Sequence, residues 1–199
     1  MLIIQDYDIS KQSPLKMIKI GTLGPAGTSS EYAANRFCNN YFLNRGLKSE
    51  LILFNTFEEV MDNLLKETID YVIAPHAYPG INNFYMRPDI NLVELFRCDT
   101  PMYGLAIRPE FNFNPDLLEK EIIVSHPAPV NLVNYYLKRD VKIKMVNSTS
   151  VAAYEVKEGI YNMAITNALA KEKYNLKFVY EFKSIPMSWS VFERGDLNE

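Results

Sequence analysis

One junction near the start of the chain limits its fold more than any other segment. The apolar run Met17-Ile18-Lys19-Ile20-Gly21-Thr22-Leu23 passes directly into Gly24-Pro25-Ala26-Gly27-Thr28-Ser29-Ser30-Glu31, and then into the helical spacing Tyr32, Ala33, Phe37, Tyr41. A strand that turns through a few small residues into a helix is the opening of an α/β unit. The turn also looks like a phosphate loop, because unpaired N–H groups at a helix start favour an anion. A second unusual segment, Ile185-Pro186-Met187-Ser188-Trp189-Ser190-Val191-Phe192, closes the sequence pattern.

Between these two segments, strand-like and helix-like stretches alternate, the pattern of an α/β fold. Thr56-Phe57-Glu58-Glu59 reads as a capping box for a helix whose apolar face is Phe57, Val60, Met61, Leu64 and Leu65. The strand Tyr71-Val72-Ile73-Ala74 follows, stopped by Pro75. The Pro-, Gly- and Asn-rich stretch from His76 to Asn91 is expected to be a loop and the crossing between two lobes. After it come strands at Val93-Phe96 and Met102-Ile107, then a second alternation. That comprises a strand Glu121-Ser125, a helix from Pro129 to Lys138, a strand Val141-Val146, a helix Thr149 to Glu158 capped by Gly159, a strand Met163-Thr166, a helix Ala168-Tyr174 and strands at Lys177-Phe182 and Trp189-Glu193. The expected lobes are about 17–91 with 184–199, and about 92–183, preceded by an N-terminal arm.

Composition narrows the function. A chain of 199 residues, 48% hydrophobic and 23% charged, is long enough for one sizeable core or two small ones. Its formal net charge of -3 without a basic block argues against a nucleic-acid partner, which would need clustered Lys and Arg. No run is long and apolar enough to span a membrane, and the start lacks the flank and core of a secretory signal, so a cytoplasmic protein is expected. Two cysteines, Cys38 and Cys98, make neither a disulfide framework nor a thiolate metal site. No metal-ligand spacing is present, and a small-molecule partner is left.

The motif Gly24-Pro25-Ala26-Gly27-Thr28-Ser29-Ser30 after a strand resembles the opening of prephenate dehydratases. The resemblance continues through Phe57-Glu58-Glu59-Val60, Asp70 to Pro75, Ser125-His126-Pro127 and Asn147 to Ala153, nearly the whole chain. It implies a two-lobed α/β fold shared with type II periplasmic binding proteins, the ligand held in the cleft between lobes. Where dehydratases have Thr-Arg-Phe before the last strand, this chain has Met187-Ser188-Trp189, and the replaced threonine is credited with helping to expel the ring hydroxyl. Gly21 to Pro25, Phe84-Tyr85-Met86 with Pro88, His126-Pro127-Ala128-Pro129 and Trp189 to Phe192 are similar to the prephenate decarboxylases of the bacilysin pathway. Those enzymes remove the ring carboxylate of prephenate and keep the C4 hydroxyl, without a cofactor. The chain stops soon after its final strand, so the ACT regulatory domain common among dehydratases is not expected; a homodimer is compatible with the resemblance.

Site candidates follow from that resemblance and from residue chemistry. Prephenate is a dianion, so hydroxyls and N–H groups at two helix starts, Thr28, Ser29 and Ser30 in one and Ser148, Thr149 and Ser150 in the other, are expected to face each other across the cleft. Plain capping is their alternative role. His76 and Tyr78 fall where dehydratases have a Glu-Asn pair, and His126 matches that family's His-Pro; a histidine there can neutralise a carboxylate or move a proton. Tyr85, Met86 and Tyr103 are expected to wall the ring, with core packing as the alternative for Met86. Met187 and Trp189 are expected to give the departing carboxylate an apolar pocket. Asn167 is a cap or a ligand contact. Arg87, Arg97 and Arg108 are the candidates for a counter-charge, and the sequence does not choose among them.

Overall fold

Tyr71 to Ala74 is apolar at every position because its strand is covered on both faces. In β3 (Tyr71–Pro75), Tyr71 and Ile73 pack into one core while Val72 and Ala74 pack into another on the opposite face. The computed structural model describes residues 17–195; the N-terminal arm expected from sequence and residues 196–199 lie outside the described residues.

β3 is the centre of a five-stranded sheet. Its other strands are β1 (Ile18–Leu23), β2 (Ser49–Phe54), β4 (Ile90–Arg97) and β10 (Ser188–Arg194), in the order β2-β1-β3-β10-β4. The first three are parallel, and β10 runs antiparallel to both β3 and β4. Helix α1 (Ser29–Phe37) continues through a π turn, Cys38–Phe42, and covers one face with Ala33, Ala34 and Phe37. Helix α2 (Phe57–Leu65) covers the other with Phe57, Val60 and Leu64. Its predicted cap is present: Thr56 Oγ1 accepts from the Glu59 N–H at 3.1 Å, and the Glu59 carboxylate accepts from the Asn55 N–H at 2.9 Å.

The second sheet has the order β7-β6-β8-β5-β9, built from β5 (Tyr103–Ile107), β6 (Ile122–Ser125), β7 (Lys142–Met145), β8 (Met163–Asn167) and β9 (Lys177–Glu181). Helix α5 (Val130–Leu137) packs into the core on one face. Helices α6 (Thr149–Lys157) and α7 (Ala168–Lys173) pack on the other through Ala152, Ala153, Val156 and Ala170. Gly159 takes the left-handed conformation after α6, with φ 75°, as a glycine stop should.

The crossing between lobes is not in the stretch from His76 to Asn91. That stretch contains a one-turn helix, α3 (Asn82–Tyr85), which buries Phe84 in the first lobe, and it leads into β4, which pairs along its length with β10. The chain passes between sheets at residues 98–102 and again at 183–187. Residues 92–97 therefore belong with the first sheet, since Leu92 and Glu94 to Arg97 all have partners on β10. The two crossings are tied together: the Cys98 N–H donates to Met187 O at 3.0 Å and the Thr100 N–H to Ile185 O at 2.9 Å. β2, another one-turn helix α4 (Leu117–Lys120), and the π turn after α1 are further elements that the sequence pattern did not single out.

Trp189, expected at the cleft, is a core residue. It is 1% exposed, its ring stacks toward Phe96 with centroids 6.4 Å apart, and its indole N–H donates to Cys98 O at 2.9 Å. Alternation explains the difference: in β10, Trp189 and Val191 face the α1 side, so Ser190 and Phe192 face the α2 side. Trp189→Phe leaves the Cys98 carbonyl without its donor and should cost roughly 1–3 kcal/mol. A urea midpoint equal to that of the unaltered protein would show that this bond contributes nothing.

Candidate active site

Ligands of open α/β sheets bind beyond the carboxyl ends of the parallel strands. In the first lobe that edge carries the turn after β1, His76 after β3, and the start of β10. In the second it carries Ser125 and His126 after β6, Asn167 at the end of β8, and the start of α6. The two edges meet, which places most of the expected residues together.

The meeting point is the Ala26-Gly27 turn. Ser150 Oγ donates to Ala26 O at 2.7 Å, Asn167 Nδ2 donates to Gly27 O at 3.0 Å, and Lys173 Nζ donates to Ala26 O at 2.9 Å. Ser29 Oγ and Tyr103 OH lie 3.1 Å apart and add a further link. Gly27 is required here on two counts: its φ is 95°, and a Cβ would stand 3.1 Å from Ser150 Oγ. The start of α6 thus meets the turn at Ser150 and Ala26.

This contact commits several of the expected ligand groups. Thr28 is the cap of α1, accepting from the Glu31 N–H and donating to Leu23 O. Ser148 caps α6 by accepting from the Val151 N–H. Asn167 caps α7 through Oδ1 and uses its amide on Gly27 and Thr149, so it is a lobe-joining cap. The Gly27 N–H, one of the turn's anion donors, is taken by the Glu31 carboxylate at 2.6 Å. What remain are the N–H groups of Ser29 and Ser30 at the start of α1 and of Thr149 and Ser150 at the start of α6. Each pair sits at the positive end of a helix dipole.

A second group of side chains gathers on the α2 side of the first sheet. His76 Nδ1 is 2.7 Å from Ser188 Oγ, and its Nε2 is 2.5 Å from Ser190 Oγ. Tyr85 OH lies 2.5 Å from Ser190 Oγ and 3.1 Å from His76 Nε2, while its ring meets Phe192 edge-on. Ser190 is fully buried, whereas Tyr85 is 40% exposed and Ser188 is exposed. The sequence pattern alone does not single out Ser188 and Ser190 as partners of His76. The alternation of β10 around Trp189 was the available signal, since it sets both serines on one face.

Tyr78 does not join this group. Its ring packs on Phe57 with centroids 4.5 Å apart, and its hydroxyl donates to Glu58 at 2.8 Å. Burial, helped by that carboxylate, pushes its phenol up to about 12, so it keeps its proton. Met86 is 81% exposed at the end of α3, so it does not wall a pocket. Met187 is half-buried against the α1-side core. Of the arginines, Arg108 is held by Val156 O, Tyr161 O and Asn162 inside the second lobe, and Arg87 is clamped on Asp89. Arg97 pairs in register with Ser188, so its side chain leaves the sheet on the His76 face at the cleft edge. Among the described residues its ion pair is an exposed one with Asp99, at 3.1 Å.

His126 is half-buried at the end of β6, and its Nδ1 accepts from the Ala128 N–H at 3.2 Å. In the neutral ring the proton then sits on Nε2, which is left as a donor. Burial lowers its pKa from the ordinary 6.5. Cys38 and Cys98 are buried free thiols, raised by burial and poorly suited to nucleophilic work. A surface recess of about 530 Å³ lies between α1 and α7, lined by Ala26, Glu31, Arg36, Leu169 and Lys173 among others. It is on the α1 side, away from His76. Among the described residues no helix is long and apolar enough to cross a membrane, and no group of three or more His, Cys, Asp or Glu could hold a metal ion.

These features define a two-lobed α/β domain with a ligand cleft at a pinned pair of strand edges. Solved structures share that fold. A prephenate dehydratase from Arthrobacter aurescens in complex with L-Phe superposes with a TM-score of 0.65 at 12% identity, covering 90% of this chain and 61% of that one. A periplasmic substrate-binding protein of an ABC transporter from Coxiella burnetii gives 0.56 at 17% identity, over 92% and 87%. No protein-family model matches. In sequence the chain is 56% identical over 184 residues to a prephenate decarboxylase of Bacillus subtilis (strain 168), covering 92% of this chain and 90% of that protein. It is 39% identical over 189 residues to one from Planktothrix agardhii (strain NIVA-CYA 126/8), covering 92% and 91%. The chain is an enzyme and belongs to the prephenate decarboxylase family.

The low His126 pKa gives a pH prediction with a fixed sign. The unfolded chain takes up a proton near pH 6.5 while the folded one resists it, so stability falls as pH drops through 6.5 toward the lower folded value. His126→Gln should remove part of that fall. Urea midpoints of both proteins at pH 7.5 and 5.5 measure it, and equal losses in the two would contradict it.

Proposed function

We propose that the enzyme carries out the non-aromatising decarboxylation of prephenate. The ring carboxylate leaves as carbon dioxide, the C4 hydroxyl stays, and a dihydro-4-hydroxyphenylpyruvate is formed. The observation that carries this reading is the segment in place of the dehydratase Thr-Arg-Phe. Met187 offers an apolar side chain turned into the core, Trp189 is buried with its N–H committed, and Tyr78 holds its proton against Glu58. None of these three is an acid for a leaving hydroxyl, and Ser188, the remaining residue of the segment, has its hydroxyl on His76 Nδ1 at 2.7 Å. The names of the relatives support the substrate and the loss of carbon dioxide.

The substrate is held by its pyruvoyl carboxylate. The helix-start N–H groups of Ser29 and Ser30, and of Thr149 and Ser150, suit that anionic end, and Arg97 at the β4 edge is a further counter-charge for it. Anchoring the pyruvoyl carboxylate while the cleft removes water from the ring carboxylate raises the energy of the group that departs. The reaction needs no cofactor, because the electron pair left when carbon dioxide departs is delocalised over the ring diene. The half-buried His126, donating from Nε2, is a neutral partner for a substrate oxygen. The reaction product feeds the biosynthesis of a bacilysin- or anticapsin-like or related natural product in the cytoplasm, a reading supported by the resemblance of Phe84-Tyr85-Met86 and Trp189 to Phe192 to enzymes of that pathway.

Purified protein mixed with prephenate should release carbon dioxide equal to substrate consumed, with no phenylpyruvate above a protein-free control at the same pH. Phenylpyruvate as the main product would make the protein a dehydratase. Thr149→Val removes a hydroxyl 3.4 Å from the Asn167 amide, and through it a donor beside the anion site, and should raise KM about 10-fold with little change in kcat. An unaltered KM would reduce Thr149 to a structural residue.

A further inference from the structure

Loss of carbon dioxide from the ring breaks a carbon–carbon bond and leaves its electron pair on the ring, spread over three alternating carbons. One proton must then reach one of those carbons. That proton has to come from a donor that reaches the cleft.

We propose that Tyr85, Ser190, His76 and Ser188 form a proton wire that carries a solvent proton across the edge of the first sheet to the ring of the decarboxylated substrate. The proposal rests on the reaction assigned above and names the residues that complete it. Four observations carry it. The four groups form an unbroken chain of short contacts, 2.5 Å from Tyr85 OH to Ser190 Oγ, 2.5 Å from Ser190 Oγ to His76 Nε2, and 2.7 Å from His76 Nδ1 to Ser188 Oγ. The middle is dry and the ends are wet: Ser190 is fully buried, Tyr85 is 40% exposed and Ser188 is exposed. The Ser188 end lies at the cleft edge, because Ser188 pairs with Arg97, and Trp189 next to it pairs with Pro75 at the carboxyl end of β3. Both imidazole nitrogens are occupied by hydroxyls, which fixes the ring and lets it take a proton on one side while giving one up on the other.

The step balances without any co-reactant but water. Ser188 gives its hydroxyl proton to the ring carbon and receives the Nδ1 proton of His76. Nε2 receives the Ser190 proton, Ser190 receives that of Tyr85, and water restores Tyr85. Each group ends as it began with its rotor or tautomer reversed, and one solvent proton has been added to the ring. A hydrogen-bonded chain buried in protein is strengthened by mutual polarisation, which suits it to such a shift. Ser188 is the catalytic residue of the set, and the other three act through it. A donor at a fixed position reaches one face of a bound ring, so the wire also fixes where the proton lands.

Reaction in deuterium oxide reads this directly. The unaltered enzyme should give product carrying one deuterium at one ring carbon and on one face. Ser188→Ala, an exposed position that leaves the fold intact, and His76→Asn should slow carbon dioxide release by roughly 100-fold and scatter the deuterium over both faces or both ring termini. Tyr85→Phe, at the far end, should slow release while keeping the single face. A residue that only supported the fold would lower the melting temperature and leave the deuterium pattern as it was. Single-face labelling in both Ser188→Ala and His76→Asn would overturn the wire while leaving the decarboxylation intact. Phenylpyruvate, or no carbon dioxide, from the unaltered enzyme would overturn the decarboxylation itself.

Discussion

The insertion of β10 between β3 and β4 is the constraint on which the site depends. Five residues of β10 are paired with β3 and seven with β4, so the strand is held on both edges. Its alternation does two jobs at once. Trp189 and Val191 fill the α1-side core, and the same pleat turns Ser188 and Ser190 toward His76. A register slip of one residue would turn the serines into the α1-side core and the tryptophan toward His76. The indole bond to Cys98 and the Cys98-Met187 backbone bond fix the start of the strand, and with it the position of Ser188 at the cleft edge.

The other edge of the cleft is set by a turn that has become partly self-sufficient. Glu31 folds back to fill the Gly27 N–H, so the turn is a support for the lobes more than a seat for an anion. Its carbonyls accept from Ser150, Asn167 and Lys173 of the second lobe. The N–H groups just inside the two helices, next to those satisfied by the caps Thr28 and Ser148, are the donors left at this edge. Those donors and the contact between lobes belong to the same few residues.

Local patterns were legible in the sequence, and long-range pairings were not. The Thr56 cap, the Gly159 stop, the doubly buried β3 and the strand-to-helix turn each follow from a few adjacent residues. The lobe crossing was misplaced because His76 to Asn91 has loop composition, and only the pairing of β4 with β10 reveals which sheet it serves. Trp189 reads as a cleft residue from its place in a motif; its burial depends on a partner strand 91 residues away. Met86 sits in an apolar-looking run, yet a single-turn helix turns it outward. His76 was singled out by position alone, while its two serine partners, 112 and 114 residues distant, follow only from the antiparallel return of the chain.

The two lobes differ in how they are drawn from the chain. The second sheet is contiguous, running from β5 to β9 without interruption, whereas the first receives its fourth strand in order only when the chain returns as β10. On a ribosome, the second lobe has all its strands while the first still exposes the facing edges of β3 and β4, which no local contact can close. That open pair of edges is where a nascent chain of this topology is most open to wrong strand pairing and most in need of a chaperone.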